Sequence, residues 1–110
     1  MEKPPITTHV LDLVMGKPAS GIKVHLHEGG KVLAAGVTNA DGRVENWTSD
    51  FSLVISKYCL VFDVESWFAS RADDNFYEDV QISFRVDDPE QHYHVPLLLS
   101  PFGYSTYRGS

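Results

Sequence analysis

The chain has 110 residues, 43% of them hydrophobic and 22% charged, with a formal net charge of -6. That length supports one hydrophobic core but not two independently folded units, so a single domain over residues 1–110 is expected, and the balanced composition excludes disorder driven by excess charge. Fifteen Asp and Glu against nine Lys and Arg disfavour nucleic acid or an anionic membrane as the main partner. Cys59 is the only cysteine, so neither an intramolecular disulfide nor a Cys-based zinc site can be built within one chain. The opening Met1-Glu2-Lys3-Pro4-Pro5 lacks the apolar run of a signal peptide, and nothing approaches the roughly 20 apolar residues of a membrane span.

The dominant period is two, broken often by turn residues, which predicts a small antiparallel sheet protein with little helix. In the first strand, Ile6 to Leu13, Thr8, Val10 and Asp12 share one face, and Thr7, His9, Leu11 and Leu13 share the other. Met15 to Gly21 holds two glycines and a proline and must turn. Ile22, Val24 and Leu26 then alternate inward against Lys23, His25 and His27, and Gly29-Gly30 closes a hairpin into a strand over Lys31 to Val37. The polar turn Thr38-Asn39-Ala40-Asp41-Gly42 delivers Arg43 to the head of a short strand, Arg43 to Trp47.

Lys57 to Asp63 reads as a further strand, with Cys59 as a small apolar filler. Glu65 to Arg71, with Trp67, Phe68 and Ala69 in succession, is the candidate for one short helix. Tyr77 to Val86 points Val80, Ile82, Phe84 and Val86 inward and ends at Asp87-Asp88-Pro89-Glu90. His92 to Leu99 and Tyr104 to Arg108 complete about seven or eight strands. Spacings of roughly ten residues predict an all-β, two-sheet antiparallel sandwich with one short helix. Leu97-Leu98-Leu99 makes both faces of its strand apolar, so one is expected to be covered by another subunit.

Five histidines stand out. His25 and His27 share one strand face; such a pair either chelates a metal or forms an exposed polar face, and no third ligand is fixed nearby by sequence. His92 and His94 repeat the spacing around Tyr93. With His9 they could make a zinc site of the three-histidine catalytic kind. His9 and His94 each lie inside a strand-forming run where an apolar residue would pack more easily. Neither a Gly-x-Ser-x-Gly motif nor a glycine-rich phosphate loop is present. Imidazoles as base and a guanidinium as fixed positive charge remain, and these can activate water and stabilise an oxyanion.

The opening Ile6-Thr7-Thr8-His9-Val10-Leu11-Asp12, with Gly16-Lys17-Pro18-Ala19 and Asn39-Ala40-Asp41-Gly42-Arg43, resembles the signature of the transthyretin-like family. The ending, from His92-Tyr93-His94-Val95-Pro96 through Leu97-Leu98-Leu99-Ser100-Pro101-Phe102-Gly103-Tyr104 to Tyr107-Arg108-Gly109-Ser110, is similar to the C-terminal signature of that family's 5-hydroxyisourate hydrolases. The hormone-carrying members resemble the chain at Val10-Leu11-Asp12 but lack a histidine matching His9 and lack the Tyr-Arg-Gly-Ser ending. Glu45 to Ser56 matches no motif of the family.

The resemblance implies a transthyretin-like sandwich that opens the ring of 5-hydroxyisourate, a small-molecule substrate, with no metal or organic cofactor. It also implies a homotetramer, a dimer of dimers, with active sites at the interface between dimers. His9, Arg43 and His94 match the family's catalytic and substrate-contacting residues, and Tyr107, Arg108, Gly109 and Ser110 match its site-lining tail. His9 is then the expected base, Arg43 the holder of a substrate oxygen and His94 an orienting or proton-sharing partner. Ser110 offers its hydroxyl or carboxylate. A carrier of small ligands on the same fold is the alternative. Cytoplasm is the expected location, with the peroxisome as the alternative.

Overall fold

Alternation in the sequence becomes two four-stranded sheets facing each other across one core. In the computed structural model, which describes residues 4–110, the strands are β1 (Ile6–Asp12), β2 (Lys17–Pro18), β3 (Lys23–Glu28), β4 (Lys31–Val37), β5 (Ser56–Phe62), β6 (Val80–Val86), β7 (Tyr93–Ser100) and β8 (Gly103–Thr106), with one helix, α1 (Val64–Ser70). One sheet runs β2-β1-β7-β8 and the other β4-β3-β5-β6. Met1, Glu2 and Lys3, where the expectation about a signal peptide falls, lie outside the described residues.

The inward residues are those that period two selects. Ile6, Val10, Val24, Leu26, Tyr58, Leu60, Phe62, Val80 and Val86 are buried between the sheets. Thr8, on the same face, is buried with them because its hydroxyl donates to the Val95 carbonyl at 2.7 Å. Cys59 departs from the filler role: it sits on the outer face of β5, partly exposed and opposite His27.

α1 begins at Asp63, whose carboxylate accepts from the Ser66 N–H at 3.2 Å, and it buries Val64, Trp67 and Phe68 against the core. The Trp67 indole donates to the Ser20 carbonyl at 2.8 Å, and Arg71, stacked 4.5 Å above the Trp67 ring, reaches the buried Asp12 carboxylate at 3.3 Å. Asp12 also accepts from the Val14 and Met15 N–H groups, so its charge is fully engaged at the end of β1.

Three details differ from the sequence reading. β1 and β7 pair in parallel, although every other pair is antiparallel. No short crossover is needed, because the chain passes through the whole opposite sheet between these strands. Lys17–Pro18 forms a two-residue edge strand on β1, a place where a proline costs no central ladder bond. Arg43 to Trp47 forms no strand beyond one bridge between Arg43 and His9. That segment crosses between the sheets instead: the Trp47 indole donates to the Ile6 carbonyl at 3.0 Å, and the Thr48 N–H donates to the Ala35 carbonyl at 2.8 Å.

Candidate active site

The turn after β4 exists to present Arg43. Asn39 Oδ1 accepts from the N–H groups of Asp41 at 2.9 Å and Arg43 at 3.0 Å, closing an Asx-type turn. Gly42 has φ +76°, and a Cβ there would collide with the Val10 carbonyl, so only glycine lets the turn lie this close to β1. Its own carbonyl accepts from the Val10 N–H at 2.7 Å. The result is an antiparallel bridge that sets Arg43 beside His9.

Registers across the sheet extend this pairing into rows. In the parallel β1–β7 ladder Thr7 lies opposite His94 and His9 opposite Pro96. β8 pairs Leu97 with Thr106, and past its end Gly109 bridges His94 in the same register, which leaves Tyr107 opposite Pro96. One row therefore reads Arg43, His9, Pro96, Tyr107, and its neighbour reads Thr7, His94, Gly109. Adjacent strands are about 4.8 Å apart, so side chains in the two rows are within reach of one another.

His94 is held on two sides. Its Nδ1 lies 2.7 Å from Thr7 Oγ1, and the same hydroxyl lies 2.9 Å from His92 Nε2. On the opposite edge, a Cβ on Gly109 would come within 2.5 Å of His94 Cδ2, so glycine is required by space there, not by backbone conformation. The Gly109 N–H donates to the His94 carbonyl at 2.8 Å and fixes that approach. Burial holds the His94 pKa below the ordinary imidazole value, and the Arg43 charge, with His9 and His92, lowers it further; a hydrogen bond to the Thr7 backbone works the other way. His94 is thus a neutral imidazole at neutral pH, suited to take a proton.

A cavity of about 450 Å³ opens at this cluster, lined by Thr7, Arg43, Glu45, His92, His94 and Ser110 among others. Of the residues singled out from sequence, Arg43, His94 and Ser110 line it directly. His9 adjoins it through its bridge to Arg43. Gly109 serves as the surface against which the His94 ring rests. Tyr107 is 58% exposed on the row of His9, and with Arg108 it borders a separate hollow of about 170 Å³.

Arg108 does not face the cavity, contrary to the sequence expectation. Its guanidinium stacks 4.6 Å over the Tyr93 ring and donates to Gln91 Oε1 at 2.8 Å, because strand alternation turns residue 108 to the side opposite Gly109. The three-histidine zinc arrangement is not formed either. His92 and His94 each turn a ring nitrogen to the Thr7 hydroxyl, which occupies the point between them, and among the described residues no three His, Cys, Asp or Glu side chains stand as a ligand set. His25 and His27 meet edge to face, ring centres 6.5 Å apart, on the other sheet. Thr7 was the residue sequence reasoning passed over; its outward placement beside His9 was the available signal.

A neutral imidazole next to a fixed guanidinium, in an open cavity, can draw a proton from water and stabilise the oxyanion that forms when that water attacks a carbonyl. Residues 6–109 match the family model described as the HIUase/Transthyretin family. The chain belongs to this family. It is 42% identical over 114 residues to 5-hydroxyisourate hydrolase 2 of Rhizobium meliloti, spanning 96% of this chain and 95% of that protein. The solved 5-hydroxyisourate hydrolase of Klebsiella pneumoniae is 41% identical, with a TM-score of 0.86 over 96% of this chain and 98% of that one. Sea bream transthyretin in complex with thyroxine superposes as well, with a TM-score of 0.87 over 96% of this chain and 94% of that one, at 29% identity. In the HIUase/Transthyretin family, then, backbone similarity does not separate hydrolase from carrier, and side chains must.

Proposed function

We propose that this protein hydrolyses 5-hydroxyisourate, opening its cyclic amide to 2-oxo-4-hydroxy-4-carboxy-5-ureidoimidazoline in urate degradation. The observation that carries the reading is the placement of the His94 imidazole and the Arg43 guanidinium together on the cavity, with His9 paired to Arg43 in the next row. A carrier has no need of a base and an oxyanion partner side by side. Identity of about 40% to named hydrolases over nearly the whole chain supports the same conclusion.

In the reaction, the oxygen of a water molecule bonds to the ring carbonyl carbon and the ring C–N bond breaks. One water proton goes to an imidazole and the ring nitrogen takes a proton as it leaves, giving a carboxylic acid that ionises. His9 or His94 accepts the water proton, and Arg43 holds the carbonyl oxygen as it becomes negative. Ser110 contacts the substrate from the cavity wall, and Tyr107 contributes from the row of His9, while Arg108 and Gly109 hold the tail in place. The working unit is a homotetramer, a dimer of dimers, in which the outer face of the β2-β1-β7-β8 sheet is covered by a second subunit. Leu98, partly exposed on that face, supports this assembly.

The deciding experiment follows the ultraviolet absorbance of freshly generated 5-hydroxyisourate with and without the protein. Decay accelerated in proportion to protein concentration is expected; decay at the spontaneous rate overturns the hydrolase reading.

A further inference from the structure

The hydrolase reading needs a base and a place for its proton to go, and it leaves Thr7 and His92 unused. Thr7 Oγ1 bridges the two imidazoles, at 2.7 Å from His94 Nδ1 and 2.9 Å from His92 Nε2. A hydroxyl has one proton, so it can donate to only one ring nitrogen, and at least one of the two nitrogens must carry its own. His92 is exposed, whereas His94 is partly buried in the parallel ladder beside Thr7. The bridge thus joins a shielded imidazole on the cavity to one in contact with water.

Resting on the hydrolase reading, we propose that Thr7 and His92 are positioning residues for His94: the Thr7 hydroxyl fixes its tautomer with the proton on Nδ1, and His92 is the outlet through which its proton leaves. Committing Nδ1 to Thr7 leaves the Nε2 lone pair of His94 as the basic site. When Nε2 takes a proton from the attacking water, the Nδ1 proton passes to Thr7 Oγ1, the original Thr7 proton passes to His92 Nε2, and His92 releases its Nδ1 proton to solvent. Thr7 Oγ1 gains and loses one proton, and both imidazoles are left neutral in their other tautomer; when His94 Nε2 then hands its proton to the leaving ring nitrogen, a solvent proton entering at His92 Nδ1 and returning along the same path through Thr7 to His94 Nδ1 restores all three groups.

The outlet is kept in position from outside the cavity. Arg108 donates to the Gln91 side chain at 2.8 Å and, more weakly, to the His92 carbonyl at 3.4 Å, which braces the segment that carries His92. The charged and titratable groups facing His94 are His9 on β1, Arg43 from the turn after β4, and His92 before β7, and Glu45 lines the same cavity.

The test uses three variants of the full chain. Thr7→Val keeps the β-branched shape of β1 and removes only the hydroxyl, and Thr7→Ser restores it. Thr7→Val is expected to lower kcat at least about tenfold, with the acid limb of its pH profile moved to lower pH because the hydroxyl oxygen that accepts the Nδ1 proton is gone, and Thr7→Ser is expected to return both to the wild-type pattern. His92→Gln is expected to lower kcat with KM unchanged, and added imidazole buffer should restore the rate in that variant alone. A second readout needs no turnover: long-range proton–nitrogen NMR of histidine-labelled wild-type protein should find His94 protonated on Nδ1. A wild-type rate and pH profile in Thr7→Val, a His92→Gln rate that is unchanged or reduced without response to imidazole, or a His94 proton on Nε2 overturns the proposal. Failure of the hydrolase reading would look different, since the wild-type protein itself would then leave 5-hydroxyisourate decay unaccelerated.

Discussion

His94 owes its chemistry to its neighbours. Burial and the Arg43 charge keep it neutral, Thr7 holds one edge of its ring, and the bare backbone of Gly109 receives the other. Gly109→Ala should therefore displace the ring: we expect a folded protein with an unchanged circular dichroism spectrum and activity reduced about tenfold or more, the loss expected from misplacing a catalytic group. His9→Ala is expected to reduce turnover of 5-hydroxyisourate about 10²-fold if His9 accepts the water proton, and near-normal turnover would assign that step to His94. The lowered His94 pKa also fixes two signs. Activity requiring neutral His94 should persist below pH 6.5 and fall only as pH drops through the lowered value. Stability behaves alike: the unfolded chain binds a proton near pH 6.5 while the folded one resists it, so the contribution is complete above that pH and is lost as pH falls through the folded-state pKa. Denaturant titrations at pH 7.5 and pH 5.5 would read that difference.

At the scale of elements, the turn from Asn39 to Arg43 does for Arg43 what Gly109 does for His94. Two N–H groups converge on Asn39 Oδ1, and Gly42 allows the turn to rest on β1. Asn39→Ala should cost about 1–2 kcal/mol, lower Tm by roughly 5 °C, and weaken substrate binding through a misplaced Arg43, which thermal unfolding and KM measure separately. Most strands were legible because one face of each is buried and the alternation of Val24, Leu26, Leu60, Phe62 and Ile82 records that. The segment Arg43 to Trp47 misled because its apolar residues serve a crossing between sheets, where the Trp47 indole and Thr48 replace ladder bonds. β2 was hidden by its proline, which edge position alone makes acceptable.

For the whole molecule, the candidate site lies on the outer face of one sheet, open to solvent in a single chain. Covering that face with a second subunit would exclude water and strengthen the Arg43 field, which is screened where it is exposed. Sedimentation at micromolar concentration is expected to give four times the chain mass, and Leu98→Lys should reduce both that mass and the activity together. A monomer with full activity would separate the site from the assembly. The net charge of -6 opposes an anionic substrate at long range, so attraction must come from the guanidinium of Arg43 at the cavity.

By itself the sequence determined most of the strands, the helix and the family, because burial imposes a period and the motifs around His9, Arg43 and His94 are local strings. It also named Arg43, His94 and Ser110 among the residues that meet at the cavity. Only the tertiary structure decided which side each of them takes. The parallel register of β1 with β7 brings Thr7 to His94, and the continuation past β8 turns Gly109 toward the His94 ring and Arg108 away from it. A one-residue difference in register would reverse every one of those directions, and pairing between strands more than eighty residues apart leaves no local trace in the chain.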